Sequence, residues 1–463
     1  MLLKRHNLTF LSFLFFTCSA IAGTHHTASY STTELQIFHS PRQKHQGWLN
    51  FSVARGTTSS GFDKFSDNGP LFAGLGSVKF ADLVKNYHSL KQAPKTKSFL
   101  EDVCLSEDFS FEDRNNLFAG GKAEILEFNL LASVPLNDNF YGTLELPIRS
   151  CKLNNLGFVS SSGASTEFAK LVNREIDPVL EEQGFEPLAN GVTQNGISDI
   201  ILSLGWSEKF IYHEKTNPAM SAGAAIRCGI ILPTSTIIGF DKNYLYNIPL
   251  GNNGSFGIKL QMDGQIEFKP YICIVGSVES KIFLRKQETQ ELKVAESIQG
   301  IMFGPKGYVT YDNGHEWKVG TALKAGSTEM GAFVFAGYSY SSKEVTRIEL
   351  SDREIHANKE FKVIKDVKTL TAATVAAAPT ENIKLTDVLI NTQPQFERQY
   401  AHALHIGLQI SPTLYSTDSA DEADAEMPNP IIEVAYNYPL FGKNYLAMPI
   451  VSGSIGFGIR LKF

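Results

Sequence analysis

Apolar and polar residues alternate with a period of two in about twelve stretches of this chain, between residue 47 and the final residue, 463. Side chains alternate across a strand, so each stretch reads as a strand buried or covered on one face. The first runs over about 47–55, where Leu49, Phe51 and Val53 oppose Asn50, Ser52 and Ala54. The pattern recurs over about 122–136, 139–149, 197–210, 219–233, 255–268, 270–286, 314–325, 330–342, 398–411, 429–441 and 449–463. Asn137-Asp138-Asn139 predicts a turn. Pro270 cannot donate to a ladder and places another turn, with Asp263-Gly264 as a rival hairpin. In the last stretch Ile455, Phe457, Ile459, Leu461 and Phe463 fall on one side. Ser454, Gly456, Gly458, Arg460 and Lys462 fall on the other.

The links between these stretches are long after residues 55, 149, 233, 286 and 342 and short after 136, 210, 268 and 325. The last two links, on either side of 429–441, break that alternation. At the other end, Lys4 and Arg5 precede the apolar run Leu8–Phe16, and Ala20-Ile21-Ala22 fits a signal-peptidase site. Cys18 follows Thr17 rather than a small residue, which argues against lipidation. Beyond Ala22 no apolar run approaches the roughly 18–20 residues a membrane helix needs. A chain of this kind crosses a membrane only as a closed sheet, because hydrocarbon leaves no partner for an unpaired backbone group. Charged residues, at 19%, are scarce, and aromatics reach 11% with Phe dominant, which suits an apolar outer wall. The formal net charge is −6, or −8 once Lys4 and Arg5 leave with the leader, and no basic tract is present. Nucleic-acid partners are excluded on that ground.

An alternating final strand that stops on an aromatic resembles the outer-membrane β-barrels of Gram-negative bacteria, whose last strand is read by the assembly machinery. The expected fold is all-β: a transmembrane antiparallel up-and-down β-barrel of about 12 strands (range 10–14), with long loops that contain short helices. Residues 1–22 are expected to form a signal peptide, 23–46 a periplasmic N-terminal segment and 47–463 a single barrel domain. The long loops fall at about 56–121, 150–196 and 343–397. The expected location is the outer membrane. The expected partners are its lipid and lipopolysaccharide, the assembly machinery and a small-molecule cargo. Ile455, Phe457, Ile459, Leu461 and Phe463 form the expected membrane-facing C-terminal signal.

A charge on the lipid face costs several kcal/mol near the midplane, so the charged residues of the strands are expected to line the interior. These are Glu127, Glu145, Arg227, Lys259, Asp263, Glu279, Lys281, Lys318, Glu433 and Arg460, with Arg285, Lys324 and Lys462 in the same pattern. The wall is mixed in sign. Salt bridges across a narrow lumen and a selectivity ring both account for that. In the loops, Phe80, Val84, Tyr87 and Leu90 share one helical face, as do Phe168, Leu171, Val172, Ile176 and Val179. Such helices either pack on their own loop and cap the mouth or fold into the lumen as a constriction. Residues 366–380, rich in Ala and Thr, are expected to be mobile, and the acidic run from Asp418 to Glu426 to be a solvated loop.

Four cysteines remain after the leader. Cys104 and Cys151 fall at one end of the expected barrel and could pair, while Cys228 and Cys273 read as small buried hydrophobes. No nucleophile elbow, HExxH, P-loop or dinucleotide fingerprint appears, and no enzyme, metal or cofactor is expected. His402 and His405 lie three apart on a strand, hence on opposite faces. His25 and His26 are expected in a disordered terminus.

Gly196-Ile197-Ser198-Asp199-Ile200-Ile201-Leu202, then Ala219 to Ile231 and Leu232-Pro233-Thr234, resembles the outer-membrane transporter family annotated with meta-pathway phenol degradation. That family is distantly similar to long-chain fatty-acid transporters. Its Pro-Thr-Gly step reads Pro233-Thr234-Ser235 here, without the final glycine. The resemblance implies passage of small hydrophobic or aromatic compounds and carries over no binding residue. The expected function is an outer-membrane channel or transporter for passive passage of small molecules. The alternatives are a barrel-anchored surface adhesin or structural protein, and a soluble periplasmic β-rich protein.

Overall fold

A computed structural model gives the architecture. It describes residues 26–27 and most of 46–460. Outside the description lie 1–25, 28–45, 292–305, 351–359, 366–374, 385–397, 411–429 and 461–463, with shorter stretches of the links. Twelve strands close into one antiparallel barrel: β1 (Gln46–Thr58), β2 (Asn116–Pro135), β3 (Phe140–Ser160), β4 (Ile200–Tyr212), β5 (Met220–Leu232), β6 (Gly257–Phe268), β7 (Ile272–Phe283), β8 (His315–Ser327), β9 (Ala332–Lys343), β10 (Gln399–Ile410), β11 (Ile431–Lys443) and β12 (Ile450–Arg460). Each pairs with its neighbour in sequence, and β12 returns to β1 from Gln46↔Arg460 to Gly56↔Ile450. No edge is left in the wall, which is the condition for crossing hydrocarbon.

The two faces of the wall differ as the alternation predicts. Leu202, Leu204, Ile226, Ile230, Ile258, Leu260, Met262, Ile266, Ile272, Ile274 and Val278 are exposed on successive strands, and Val319, Leu323, Val334, Leu404, Ile406, Leu408, Ile432 and Val434 continue the band. An apolar surface of that extent is not stable against water. It defines a lipid-facing belt, and the barrel is transmembrane. Along β6 the contrast is sharp: Met262 is 58% exposed, Lys259 6%. The barrel's two ends are equally unlike. β2 and β3 are joined through 136–139, β6 ends at Phe268 with β7 starting at Ile272, and β8 ends at Ser327 with β9 starting at Ala332. The links 59–115, 161–199, 233–256, 284–314 and 344–398 all leave from the opposite end. Pro270 falls between β6 and β7, while Asp263-Gly264 lies within β6, so the rival hairpin is not used.

Those long links build a cap. Helix α1 (Pro94–Leu105) and helix α2 (Thr166–Glu182) pack on each other, and their buried Phe99, Leu100, Phe168, Val172, Ile176, Val179 and Leu180 join one apolar cluster. The cluster takes in Leu71, Phe72, Leu83, Val84 and Tyr87 from the first link, Leu245, Tyr246, Ile248 and Leu250 from the third, and Ile364, Val375 and Ala378 from the fifth. It rests on Ala54, Ala123, Ile125, Cys151, Leu153, Met448 and Ile450 at the loop ends of β1, β2, β3 and β12.

Several expectations change here. Val375 and Ala378, in the Ala-rich stretch expected to be mobile, are buried in the cap cluster, and Thr380–Lys384 pairs antiparallel with Glu360–Ile364. Residues 366–374 and the acidic run 418–426 lie outside the described residues. His26 is part of a two-residue strand, His26–Thr27, parallel to Tyr246–Asn247. Cys228 is exposed on the outer face of β5, where a small thiol meets lipid rather than a core. Cys151 is buried under the cap, and the side chain of Cys104 lies outside the described residues.

Candidate functional site

The interior below the cap is polar and held together by ion pairs that skip strands. Lys259 Nζ on β6 donates to both carboxylate oxygens of Glu145 on β3, at 2.9 and 3.1 Å, reaching past β4 and β5. The same ammonium lies 3.2 Å from Glu279 on β7, which also binds Lys281 at 3.2 Å. Arg227 on β5 pairs with Asp263 on β6 at 2.6 Å, and Gln261 Nε2 donates to the other oxygen of Asp263 at 2.9 Å. Lys318 is buried beside Glu279 in the β7–β8 register. Higher in the barrel Arg149 pairs with Glu127 and donates to the carbonyl of Leu250 at 2.9 Å, tying the charged interior to the underside of the cap. On the far side Lys324 donates to Gln409 at 2.9 Å, and Glu433 occupies the interior face of β11 opposite Gln409.

Nine of the ten charged residues expected inside are thus half-buried or buried on the face opposite the apolar belt. The side chain of Arg460 lies outside the described residues, as do those of Ile459, Leu461 and Phe463, whereas Phe457 is exposed on the outer face and Ile455 half-buried. Lys462 is likewise outside the description. Arg285 departs from the expectation. It lies past the end of β7, exposed, and pairs at 3.2 Å with Asp312. The alternation that placed it inside had already ended at Phe283.

Between the charges the interior carries Asn50, Asn129, Ser133, Thr143, Ser203, Gln265, Ser277, Ser339 and Asn437, all buried. The hydroxyls of Ser133, Thr143 and Ser277 have no hydrogen-bond partner among the described residues. An ordered water would satisfy a buried hydroxyl of this kind. His405 Nε2 meets Ser339 Oγ at 2.7 Å inside, while His402 sits on the outer face, stacked on Phe441 with ring centroids 4.1 Å apart. The two histidines do not share a site.

Sequence reasoning missed what Asp199 does. Its buried carboxylate accepts from the backbone N–H of Ser235 at 3.2 Å and of Asn252 at 2.5 Å. Thr234 Oγ1 donates to Ser198 O at 2.8 Å and accepts from Ile200 N at 2.9 Å. A Cβ on Gly251 would stand 2.7 Å from that carboxylate, so only glycine allows the approach. Together these bonds clamp both ends of the link that carries Leu245–Leu250 into the cap. The stretches Gly196–Asp199 and Pro233–Ser235 were the signal, but their spacing names no ligand.

The cap has its own polar fastening. Glu182, at the end of α2, accepts from the backbone N–H groups of Lys95 and Thr96 at 2.9 and 2.6 Å and from Thr96 Oγ1 at 2.7 Å. It caps the N-terminus of α1 from another element. Burial works to raise its pKa, but these hydrogen bonds outweigh that and hold it below the usual carboxylate range. The Tyr87 phenol is pushed up to about 12 by burial, and then by its hydrogen bond to Glu101 and that group's charge.

No protein-family model matches the chain, and no curated protein does. Among solved structures it is similar to an outer-membrane channel from Pseudomonas putida F1, with 8% identity, 90% of this chain and 97% of that one covered, and a TM-score of 0.42. It is also similar to the P. putida toluene transporter TodX (8% identity, 96% and 97% covered, TM-score 0.31) and to a Pseudomonas aeruginosa FadL homologue (11%, 96% and 100%, 0.26). Identities of this size carry no site residue across. The resemblance of residues 196–234 to the phenol-degradation transporters rests on those residues alone.

Proposed function

We propose that the protein is an outer-membrane channel for passive passage of small molecules, with the cap controlling entry to a hydrated, charge-lined lumen. The observation that carries this reading is the pairing of a closed wall, apolar outside, with an interior of buried charges and polar side chains. The loops also favour a channel over an adhesin. Many of their described apolar residues are buried in one cluster with the inner face of β1, β2, β3 and β12, which seats these loops on the barrel. Glu145, Lys259, Glu279 and Lys281 form a charged bridge across strands and, in this reading, set the sign of the preferred ion.

Planar-bilayer recordings test it. The protein should give discrete conductance steps, and replacing 245–250 by a Gly-Ser linker should enlarge them or raise the open fraction. Silence from both proteins, each in its heat-modifiable folded form, ends the channel reading.

A further inference from the structure

Toward the loop end, the outward positions of the wall change character within one repeat of the pleat. Val53, Phe128, Ile148 and Ile197 are paired across β1, β2, β3 and the short strand Val192–Ile197, and they form one apolar row in which every member is exposed. Two residues further along, about 7 Å of strand, the same register sets Arg55, Leu126, Ser150 and Asn195 side by side. The next row is Thr57, Glu124, Lys152 and Thr193, and Lys122 stands beyond it opposite Asn154.

These side chains point away from the barrel, because the alternate residues Ala54, Ala123, Ile125, Cys151, Leu153 and Val192 are buried in the cap cluster on the other face. The rows therefore sit on the lipid side of the wall, where the apolar belt gives way to headgroups. Arg55, Lys122 and Lys152 are exposed, with Glu124 half-buried among them. Lys122 Nζ donates to Glu124 Oε1 at 2.8 Å. Among the described residues, Arg55 and Lys152 have no carboxylate within ion-pair distance. Three cations thus surround one carboxylate, interleaved with hydroxyls and amides. At the same end, the described parts of β4, β5 and β6 carry Leu202, Ile230 and Ile258 outward and no outward cation, so the basic rows belong to one sector of the rim.

We infer that this face of β1, β2, β3 and the short strand beside them is a binding site for the phosphorylated glycolipid of the outer leaflet, with its phosphates on Arg55, Lys122 and Lys152. The inference goes beyond conduction. It rests on the long-loop end facing outside, as in transmembrane barrels generally. Basic side chains at a membrane surface attract anionic headgroups, and charge-assisted hydrogen bonds to phosphate are the strong ones. A zwitterionic phospholipid carries its own counter-charge beside its phosphate and gains less from surplus cations. A lipid with two phosphates on a pair of sugars answers both the charge excess and the hydroxyl and amide groups of Thr57, Ser150, Thr193 and Asn195. Its acyl chains then run down over the apolar row below.

The test uses the full chain, folded in neutral detergent and checked by heat-modifiable mobility, with native mass spectrometry as the readout. The probes are lipid A with two phosphates, lipid A with one, phosphatidylglycerol and inorganic phosphate. One molecule of the doubly phosphorylated lipid should be retained, about tenfold more tightly than the singly phosphorylated one. Arg55→Gln combined with Lys152→Gln should weaken retention by about tenfold or more. Glu124→Gln should strengthen it, and Arg285→Gln, in the exposed loop pair, should change nothing. Unchanged retention in the double variant overturns the site, and the Glu124→Gln comparison decides where the double variant does not fold. Equal retention of phosphatidylglycerol marks an unspecific anionic-headgroup surface, and displacement by millimolar inorganic phosphate marks a free-phosphate site; either overturns the glycolipid assignment. Retention without conductance would end the channel reading and leave this site. Conductance without retention would do the reverse.

Discussion

The cap and the barrel interior adjoin each other at Arg149 and Leu250, yet they are held by different physics. The cap is one apolar cluster contributed by four of the five long links, and its polar groups, such as Glu182 with Thr96, sit at the margins. The interior holds only small apolar clusters, Ile201 with Ile231 and Phe283, Phe335 with Ala435 and Val275 with Ala322, and is organised by Glu145, Lys259, Glu279, Arg227 and Asp263. Burial drives the first and depends on volume and fit. The second depends on each charge keeping its partner, because a buried charge left alone is costly. The difference shows why the wall can be rigid while its mouth is not bound to be. The barrel's hydrogen bonds close on themselves, whereas the cap is attached through side chains.

The largest test of that contrast is Phe168→Ala. It removes a fully buried ring from the cap core and should cost the cap about 3–5 kcal/mol. Protease sensitivity and amide exchange over α1 and α2 should rise while heat-modifiable mobility of the barrel persists. Simultaneous loss of both would show that the two regions are one cooperative unit. Next, Lys259→Met leaves Glu145 and Glu279 facing each other without their shared cation, at a cost of about 3 kcal/mol. Bilayer reversal potentials should then move toward cation preference, and an unchanged potential would take these residues off the conduction path.

Asp199→Asn should weaken the clamp on the 233–256 link by about 2 kcal/mol, the worth of hydrogen bonds to a charged acceptor. The expected readout is a higher open fraction with unchanged ion preference. A smaller effect is set by pH. The Glu182 carboxyl has a lowered pKa in the folded protein, so its contribution to the α1–α2 contact is present above the ordinary carboxyl range. It is lost as pH falls through the lowered folded value. Exchange at the Lys95 and Thr96 amides should quicken over that window, and Glu182→Gln should flatten the dependence. Smallest of all, Arg285→Ala breaks only an exposed pair and should change stability by about 0–1 kcal/mol with no effect on conductance. A conductance change there would move the charged path outside the barrel.

The strands were legible because lipid on one side and water on the other impose period two at every turn of the wall. Each of the twelve stretches coincides with a barrel strand to within a few residues, except that β2 begins earlier and β3 continues to Ser160. Those extra residues carry the bulge at Gly121 and Asn155, where two-residue alternation fails. Helix α2 was legible from Phe168, Val172 and Ile176. Helix α1 was not. Its buried Thr96, Phe99 and Leu100 form no long apolar stripe, and its cap, Glu182, lies far along the chain. Of the segment 78–90, Val84 and Tyr87 are buried as its helical face requires, and Phe80 and Leu90 fall outside the described residues.

By itself the sequence determined that this chain closes a sheet with charges inward, since one misplaced charge on a lipid face outweighs any local preference. Which charges meet was decided only in three dimensions. Glu145 finds Lys259 because the barrel curves two intervening strands out of the way, and Asp199 finds Asn252 because a long link folds back onto its own root. Period reports the face on which a residue lies. Partnership depends on curvature and closure, which no single stretch contains.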